Sequence, residues 1–201
     1  MIQKITDKHK TILETAERLF EANGFHATGV DQLAAKAGVT KRTLYKHFDS
    51  KEGLIEAVLC KHQARTMERI RSHVARTDPT GAERLLVCFN LYREWFSQPC
   101  FAGCLFIKAL NEFQQRSERL FTAAQQAKLE LRDYLAELAE AAGVPEPQRL
   151  ATQLQLILEG SIVIAQCESE NEEIQVAREL AEQLISAALI SNSKAIGVIE
   201  N

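Results

Sequence analysis

An all-α fold is predicted by two features of the 201-residue sequence. Apolar residues recur at steps of three and four along most of the chain, and the two-residue alternation typical of strands is scarce. Only four prolines and nine glycines interrupt these patterns. The chain is 46% hydrophobic and 25% charged, as ordinary globular proteins are. Its length suits one large helical core, or a small helical domain joined to a larger one.

The first helix is predicted at about residues 5–22. Its apolar stripe consists of Ile5, Ile12, Ala16, Leu19 and Phe20. Asn23-Gly24 is expected to end it, because glycine accepts the left-handed conformation that often follows a helix. Phe25 is expected to hold the following loop against the core.

The stretch from Thr28 to Lys51 contains two short helical patterns joined by a tight turn. Thr28 and Asp31 form a T-x-x-D capping box for the first of them. Gly38 supplies the left-handed conformation that closes it, and Thr40 is placed to cap the second. Together they are typical of a helix-turn-helix, in which the second helix lies in the major groove of DNA.

The second short helix is expected to have two different faces. Leu44 and Phe48 are its strongly apolar residues, so they should face inward. The outward side chains are cations, hydroxyls and an imidazole, with no carboxylate before Asp49: Lys41, Arg42, Thr43, Tyr45, Lys46 and His47. Such groups contact phosphates and base edges. The alternative is the solvated face of an ordinary helical hairpin.

The formal net charge of −3 argues at first against nucleic acid as a partner. The charges are unevenly distributed, however. Residues 1–52 hold nine Lys and Arg against seven Asp and Glu, a net charge of +2, and the remainder carries −5. The cations therefore lie nearest the short cationic helix, as contacts to phosphates require.

The remaining elements predict a larger helical domain. Ser50 should cap a fourth helix that runs to about Arg76, and D-P-T-G at residues 78–81 marks a boundary. The predicted domains are residues 1–50 (helix-turn-helix), 51–77 (connecting helix) and 78–201 (ligand binding and dimerisation). Further helices are predicted at about 82–97, 104–113, 118–141, 148–167 and 172–190, followed by a frayed tail.

One of these helices contains L-Q-L-I-L-E-G-S-I-V-I-A, residues 154–165, which is apolar nearly all round. A helix of this kind is buried on every side. We therefore expect a homodimer in which the last two long helices of each copy form a four-helix bundle. The alternative is the central core helix of a monomer.

Cysteine usage and the absence of a membrane pattern predict a cytoplasmic protein. The chain has an odd number of cysteines without disulfide spacing: Cys60, Cys88, Cys100, Cys104 and Cys167. Charged residues interrupt the first ten positions, so no cleavable leader is expected. The apolar run at 154–165 is broken by Glu159 and is too short for a bilayer. We therefore expect the protein to lie in a reducing compartment and to make no contact with a membrane.

The N-terminal quarter resembles TetR-family transcriptional regulators. The matching residues are Gly24-Phe25, Thr28, Leu33-Ala34, Ala37-Gly38-Val39 and above all T-L-Y-K-H-F-D-S-K at 43–51. The rest of the chain is similar to the family in helix number and order. The resemblance implies a homodimer of nine or ten helices that binds a palindromic operator, usually as a repressor. A small-molecule inducer would enter the larger domain.

The resemblance also implies roles for individual side chains. Lys41 and Thr43 would approach bases or nearby phosphates, whereas Tyr45, His47 and Lys51 would contact the backbone. Arg42 stands where many relatives carry glycine, which places a long bidentate donor near base edges. Gly29 stands where serine is common, so one phosphate contact is missing. The full predicted DNA-binding set is Thr28, Thr40, Lys41, Arg42, Thr43, Tyr45, Lys46, His47 and Lys51.

An inducer pocket is predicted among aromatic side chains of the larger domain. Its candidate lining is Phe89, Tyr92, Trp95, Phe96, Cys104, Phe106, Phe113 and Phe121. A ligand there would tilt the fourth helix and change the spacing of the two recognition helices, which must lie about 34–36 Å apart to dock on DNA. It would act through its different affinity for the two shapes. The alternative is that these aromatics are ordinary core.

Cys104 is a candidate sensor. It follows Gly103 at a predicted helix start, where free amides favour a thiolate. The G-C-L-F segment resembles that of TetR-family members that sense electrophiles or oxidants through a cysteine there, with Cys100 placed as a resolving partner. The alternative is a small buried hydrophobic side chain.

Two other classes of function compete with DNA binding. A cysteine hydrolase needs a histidine beside the thiol, yet all five histidines lie within the first 73 residues, away from Cys100 and Cys104. No metal-ligand spacing, phosphate loop or nucleophile elbow occurs, so we expect neither catalysis nor a metal or other cofactor. A helical adaptor that binds protein partners remains the alternative, and it would tolerate loss of the cationic face.

Overall fold

The structure, a computed structural model, describes residues 2–77, 81–167 and 172–197, and the side chains of residues 7–77, 81–167 and 172–190. These residues form nine α-helices and no strand: α1 (Ile2–Asn23), α2 (Val30–Lys36), α3 (Lys41–Phe48), α4 (Lys51–Val74), α5 (Glu83–Phe96), α6 (Leu105–Phe113), α7 (Glu118–Ala141), α8 (Pro147–Ala165) and α9 (Glu172–Gly197). The predicted all-α class is confirmed. None of these helices is long and apolar enough to cross a membrane.

The last helix is longer than predicted. The expected end of the last helix near Ile190 is wrong, since α9 continues to Gly197. Residues 191–197 contain serine, asparagine and glycine, which are weak helix formers, but adding turns to an existing helix costs far less than starting one. Asp78, Pro79 and Thr80 of the predicted domain boundary lie outside the described residues, as does the end of the predicted tail.

Packing divides the chain into two compact units. Unit 1 contains the described residues up to Thr66 together with Cys104–Lys128, and unit 2 contains Met67–Gly103 together with the described residues from Leu129 onward. Both α4 and α7 therefore contribute to both units, and α6 belongs to unit 1. The domains predicted from the sequence follow chain order instead, and they stay a prediction.

Helix caps in unit 1 follow the predicted residues at α3 and α4. The backbone N–H of Thr43 donates to Oγ1 of Thr40 (3.1 Å), and the N–H of Gly53 donates to Oγ of Ser50 (2.9 Å). Gly38 follows α2 with a φ of 64°, in the left-handed region as predicted. These local predictions are confirmed.

The predicted capping box of α2 is wrong. α2 begins at Val30, and its N-cap is Gly29, which makes no side-chain capping bond. Oγ1 of Thr28 donates instead to the carbonyl oxygen of Gly24 (2.7 Å) and lies 3.3 Å from that of Leu19. These bonds to the preceding turn stabilise the α1–α2 connection rather than the start of α2.

The junction between α3 and α4 depends on a glycine that the sequence analysis did not single out. A Cβ on Gly53 would lie 2.3 Å from the carbonyl oxygen of Phe48. Between the helices, Asp49 has a φ of 57°. Glycine inside the first turn of a helix reduces helix stability, and this unfavourable placement is the signal that marks Gly53 as a point of close approach.

A buried carboxylate joins α1 to α4 in unit 1. Glu17 is 4% exposed, and its Oε1 lies 2.7 Å from Nδ1 of His62 and 2.6 Å from Nη2 of Arg65. Because a carboxylate oxygen only accepts, Nδ1 carries the proton. Burial alone raises the pKa of Glu17, but the hydrogen bond from His62 and the charge of Arg65 outweigh it and lower the pKa below its ordinary 4.5.

The core of unit 2 is formed by α5, α8 and α9. α8 packs along α9, and α5 contacts both. Leu85 and Phe89 of α5, Leu154 and Leu158 of α8 and Ala181 of α9 are almost completely buried. Burial of each large side chain contributes about 1.5–3 kcal/mol, so the apolar stripes of these helices account for the packing of this unit.

Other apolar side chains of α8 point away from this core. Leu156 is 68% exposed, and Val163 and Ile164 are exposed beside it. α9 has exposed apolar side chains too: Val176, Leu180 and Ile190. The expectation that α8 is buried on every side is therefore not met within one chain.

We expect Glu17→Gln to lower the free energy of unfolding by about 2 kcal/mol at pH 7, because an amide does not replace the negative charge between His62 and Arg65. A carboxyl whose pKa is lowered by folding stabilises the protein fully above its ordinary pKa, and this contribution is lost as the pH falls through the folded pKa. The difference between wild type and variant should therefore shrink at pH 3. Urea unfolding followed by circular dichroism at both pH values measures it.

Glu14→Gln is the matched control, since Glu14 lies on the same helix and forms solvent-accessible pairs with Lys10 and Lys61, at 3.9 and 3.8 Å. Such pairs contribute about 0–1 kcal/mol. Equal losses in the two variants, or a loss at Glu17 that does not change with pH, would contradict the role assigned to the Glu17 carboxylate.

Candidate nucleic-acid interface

α3 presents a polar surface opposite two buried anchors. Leu44 and Phe48 are buried, as predicted. On the other side, four side chains are exposed and two are half-buried: Lys41, Arg42, Tyr45 and Lys46, and Thr43 and His47. We call these six side chains the reading face. Its chemistry is cationic and rich in hydroxyl groups, as the sequence predicted.

An ion pair links the reading face to α2. Nζ of Lys41 lies 2.6 Å from Oδ1 of Asp31, in the first turn of α2. The hydrogen bond and the negative charge of Asp31 raise the pKa of Lys41. Both side chains are exposed, so the pair is weak in water. A phosphate oxygen can therefore take the place of Asp31 at little cost.

Stacked rings connect α3 to α1. The ring of His9 stacks on that of Phe48 with centroids 4.6 Å apart, and it meets the ring of His47 edge-on at 5.9 Å. Burial lowers the pKa of His9, and the charges of His47 and Lys61 lower it further. A neutral His9 packs on an aromatic ring without the cost of desolvating a charge, and it supports the reading face from beneath.

Two predicted residues lie at helix starts. Oγ1 of Thr40 caps α3 and lies 3.0 Å from Oγ1 of Thr43. Lys51 is the first residue of α4 and is half-buried. Burial lowers its pKa, and the charge of Glu112 opposes that shift. Exposed amides at a helix N-terminus attract phosphate, so both positions suit contacts to a DNA backbone.

Thr28 does not join this surface. It is fully buried, and its hydroxyl bonds to backbone carbonyls of the α1–α2 connection. The predicted phosphate contact through this hydroxyl is therefore corrected to a structural role. The prediction was wrong because a threonine just before a helix can cap it or bond back to the preceding turn, and the residues nearby do not decide between them.

Glu112 of α6 is a polar residue that the sequence analysis missed. Its Oε1 accepts the N–H of Phe25 (2.9 Å), and its Oε2 accepts the N–H of His26 (2.7 Å). Burial raises the pKa of Glu112, but these hydrogen bonds outweigh burial and lower it below its ordinary value. The partners are 87 and 86 residues away along the chain, so no local pattern marks this carboxylate.

The predicted pocket residues are divided between the two units. Four of them lie on α5 in unit 2: Phe89, Tyr92, Trp95 and Phe96. The last three form an aromatic cluster with Phe101, in which neighbouring ring centroids are 4.9 to 5.9 Å apart. Phe89 and Phe96 are buried, whereas Tyr92 and Trp95 are half-buried.

The other four candidates lie in unit 1: Cys104, Phe106, Phe113 and Phe121. Phe106 meets the ring of His62 at 5.3 Å, and Phe113 packs 5.3 Å from Phe25. Unit 1 also contains an open polar groove of about 560 Å³, lined by residues that include Asn23, Asn111 and Glu112 but by none of the eight candidates. The role of the candidates as a ligand lining stays a prediction.

One group of side chains in unit 1 has the composition of a metal site. Ligand atoms of Glu17, Glu21 and His62 lie within 4.8 Å of one another. However, Arg65 pairs with Glu17, and Nζ of Lys61 lies 3.9 Å from the same carboxylate. Because these cations already balance the negative charge, the group is better described as an ion-pair cluster that joins α1 to α4.

Family comparisons cover both parts of the chain. Residues 12–58 match the model for bacterial regulatory proteins of the tetR family, and residues 81–181 match the model for a tetracyclin repressor-like C-terminal domain. The chain is 36% identical over 132 residues to the HTH-type transcriptional regulator UidR of Escherichia coli strain K12. That match covers 59% of this chain and 67% of UidR.

Solved structures show the same fold. A TetR-family transcriptional regulator from Streptomyces coelicolor superposes with a TM-score of 0.82 at 23% identity, covering 91% of this chain and 96% of that one. A TetR-type regulator from Streptomyces avermitilis gives 0.75 at 27% identity, with 90% and 97% covered. Members of this family bind DNA operators and form homodimers, and they are generally not enzymes. The chain belongs to the TetR family and is a helix-turn-helix transcriptional regulator.

Proposed function

We propose that the chain is a homodimeric repressor that binds a palindromic operator through the reading face and leaves it when a small molecule binds. The reading face carries this proposal. Three of its six side chains are cations, and the sequence from Lys41 to Phe48 contains no carboxylate. A cytoplasmic location is part of the proposal, because that is where a bacterial operator lies.

The exposed side chains of α3 suggest different contacts. Arg42 offers a planar fork of donors that fits the O6 and N7 atoms of guanine. Lys46 is a flexible point charge suited to phosphates, and Lys41 can exchange Asp31 for a phosphate oxygen. Tyr45 and His47, together with Lys51 at the start of α4, are placed to contact the DNA backbone.

The exposed apolar side chains of α8 and α9 support dimerisation. Leu156, Val163 and Leu180 are exposed on these two packed helices. Gly160 lies among them on α8, and an added Cβ there would meet no atom within 4 Å, so another helix can approach this surface closely. Two such pairs of helices form a four-helix bundle. A two-fold dimer is what a palindromic operator requires.

The inducer is proposed to bind among the aromatic side chains of the larger domain. Tyr92 and Trp95 are half-buried in an aromatic cluster, an environment that suits an apolar or aromatic ligand. Such a ligand must bind the operator-free shape more tightly than the operator-bound shape.

Modification of Cys104 is the second candidate trigger. Cys104 is the N-cap of α6, and Nζ of Lys128 lies 3.3 Å from its sulfur. A neighbouring lysine and a helix N-terminus are both features of reactive cysteines. By contrast, burial raises the pKa of Cys88 to about 12, so that thiol is unreactive near neutral pH.

The DNA-binding proposal predicts distinct effects for Arg42 and Lys46. Arg42→Ala should weaken binding to a selected duplex by about 1–3 kcal/mol and relax the preference for particular bases. Lys46→Ala should weaken binding to all duplex sequences similarly. It should also reduce the slope of the logarithm of the binding constant against the logarithm of the salt concentration by about one. Fluorescence anisotropy over a range of salt concentrations, with a duplex selected from a random pool, measures both.

Arg149→Ala is the control, because it also removes one exposed cation but lies on α8 in unit 2. It should bind DNA as wild type does. A protein that retains its biological activity without Arg42 and Lys46, and shows no salt-dependent DNA binding, would instead be the helical adaptor.

The dimer proposal predicts that Leu156→Lys separates the subunits. A charge at the centre of an apolar interface is costly to bury, so the variant should sediment as a monomer at concentrations where wild type is a dimer. Leu129→Lys is the matched control, since Leu129 is an exposed leucine of α7 outside the proposed interface. Equal sedimentation of the Leu156 variant and wild type would remove α8 from the interface.

The thiol proposal predicts that iodoacetamide at neutral pH modifies Cys104 faster than Cys60 or Cys167, although Cys104 is buried and the other two are exposed. Lys128→Met should slow the reaction, because it removes the cation beside the sulfur. Mass spectrometry of the digested protein reports each rate. If Cys104 reacts no faster than the two exposed thiols, thiol sensing is excluded.

A further inference from the structure

Two charged side chains of α6 hold the end of α1. Nζ of Lys108 donates to the carbonyl oxygen of Glu21, near the end of α1. One helical turn later, Glu112 accepts the N–H groups of Phe25 and His26, which follow that helix. A cation thus meets a helix C-terminal carbonyl, as the helix dipole favours, and a carboxylate meets the amides beyond it. All of these residues belong to unit 1, which also contains the reading face.

The approach of α6 to this connection is close and specific. Gly24 has a φ of 79°, and a Cβ there would lie 2.7 Å from Oε1 of Glu112. Glycine is suited to both the left-handed φ and the short distance. Beside Glu112, the ring of Phe113 lies 5.3 Å from the rings of both Phe25 and His26. Apolar packing and hydrogen bonds therefore define the same arrangement.

The ring of His26 completes this contact. Its Nδ1 lies 2.5 Å from Oε2 of Glu112, and Nδ1 carries the proton because a carboxylate oxygen only accepts. The Glu112 carboxylate thus receives three hydrogen bonds from two consecutive residues. Together these bonds fix the orientation of residues 25 and 26 relative to α6.

The segment that Glu112 holds leads directly into α2 and α3. Thr28 bonds to the carbonyl of Gly24 and is buried, and α2 begins two residues later. α2 packs against α1 and α3, and Asp31 of α2 pairs with Lys41 on the reading face. A shift of the α1–α2 connection would therefore move the reading face with it.

The Glu112 contact contributes more to geometry than to stability. Forming it removes a carboxylate from water, which offsets most of the gain from its hydrogen bonds. The apolar core of unit 1 includes Phe20, Phe25 and Leu33, which are almost completely buried, and their burial supplies most of the stability here. Directional hydrogen bonds, unlike apolar contacts, specify one orientation of the groups that they join.

We propose that Glu112 is a positioning residue for DNA binding: its carboxylate holds the α1–α2 connection, and with it the reading face, in the orientation that docks on the duplex. This inference rests on the proposed DNA-binding function. In this proposal α6 affects DNA binding through residues 24–26 of the connection, and no tilt of α4 is required.

The test compares Glu112→Gln with Glu118→Gln. Both variants lose one negative charge in unit 1, so the net charge changes alike. Loss of the Glu112 charge near Lys51 would by itself favour phosphate binding, so weaker binding by the Glu112 variant would not be a charge effect. Glutamine has nearly the same size as glutamate. However, its NH2 group is a donor, so it cannot accept a hydrogen bond from the loop as the carboxylate oxygen does. On a duplex selected with wild-type protein, we expect the Glu112 variant to bind about tenfold more weakly than the Glu118 variant, with an unchanged fraction of active protein.

A purely stabilising role would not produce this result, because the folded fraction would bind with wild-type affinity. Hydrogen exchange read by mass spectrometry gives a second measurement. Peptides covering residues 24–29 should exchange faster in Glu112→Gln than in Glu118→Gln, and peptides from α5, α8 and α9 should exchange at the same rate in both. Unchanged exchange at residues 24–29 overturns the proposal.

A second variant covers the case in which Glu112→Gln does not fold. His26→Ala removes the exposed ring but keeps both backbone N–H bonds to Glu112, and it should weaken binding about two- to fivefold. In a folded double variant, the two losses should not add, because both break one contact. Full additivity, or wild-type binding by His26→Ala, overturns the proposal.

Failure of the proposed function and failure of this inference give different results. A wild-type protein that selects no duplex removes the proposed function and this inference together. A wild-type protein that binds a selected duplex, with equal affinities for the Glu112 and Glu118 variants, removes the inference alone and leaves the DNA-binding function standing.

Discussion

The recognition helix, α3, is too short to be stable by itself. An isolated helix of eight residues is unstable in water, so α3 depends on the burial of Leu44 and Phe48 against the rest of unit 1. Every side chain of the reading face takes its position from that anchoring. The order of the helix-turn-helix follows from it: α1 supplies the supporting surface, α2 packs between, and the caps at Thr40 and Ser50 set where α3 and α4 begin.

Polar contacts then specify an arrangement that apolar packing alone leaves adjustable. Glu17 joins α1 to α4, and Glu112 joins α6 to the connection after α1. In both cases hydrogen bonds keep a partly or fully buried carboxyl group ionised, against the effect of burial. Directional bonds of this kind define orientation, which a DNA-binding surface needs more than it needs added stability.

The two units expose opposite kinds of surface. Unit 1 exposes the cations Arg42 and Lys46, although the chain as a whole is acidic, with a net charge of −3. Unit 2 exposes the apolar side chains Leu156 and Val163. Local charge, not net charge, decides attraction to phosphates, and an exposed apolar surface is stable when a second copy covers it.

The helices, the cap at Thr40, the turn at Gly38 and the family were predictable from the amino-acid pattern, because they depend on periodicity and cap chemistry within three or four residues. Long-range packing was needed to show that the hydroxyl of Thr28 is buried against the preceding turn, that α6 belongs to unit 1, and that Glu112 bonds to the α1–α2 connection. Some of these features join residues that are distant along the chain, and others depend on which of two similar local bonds a side chain makes. In neither case do the neighbouring residues in the sequence indicate the outcome.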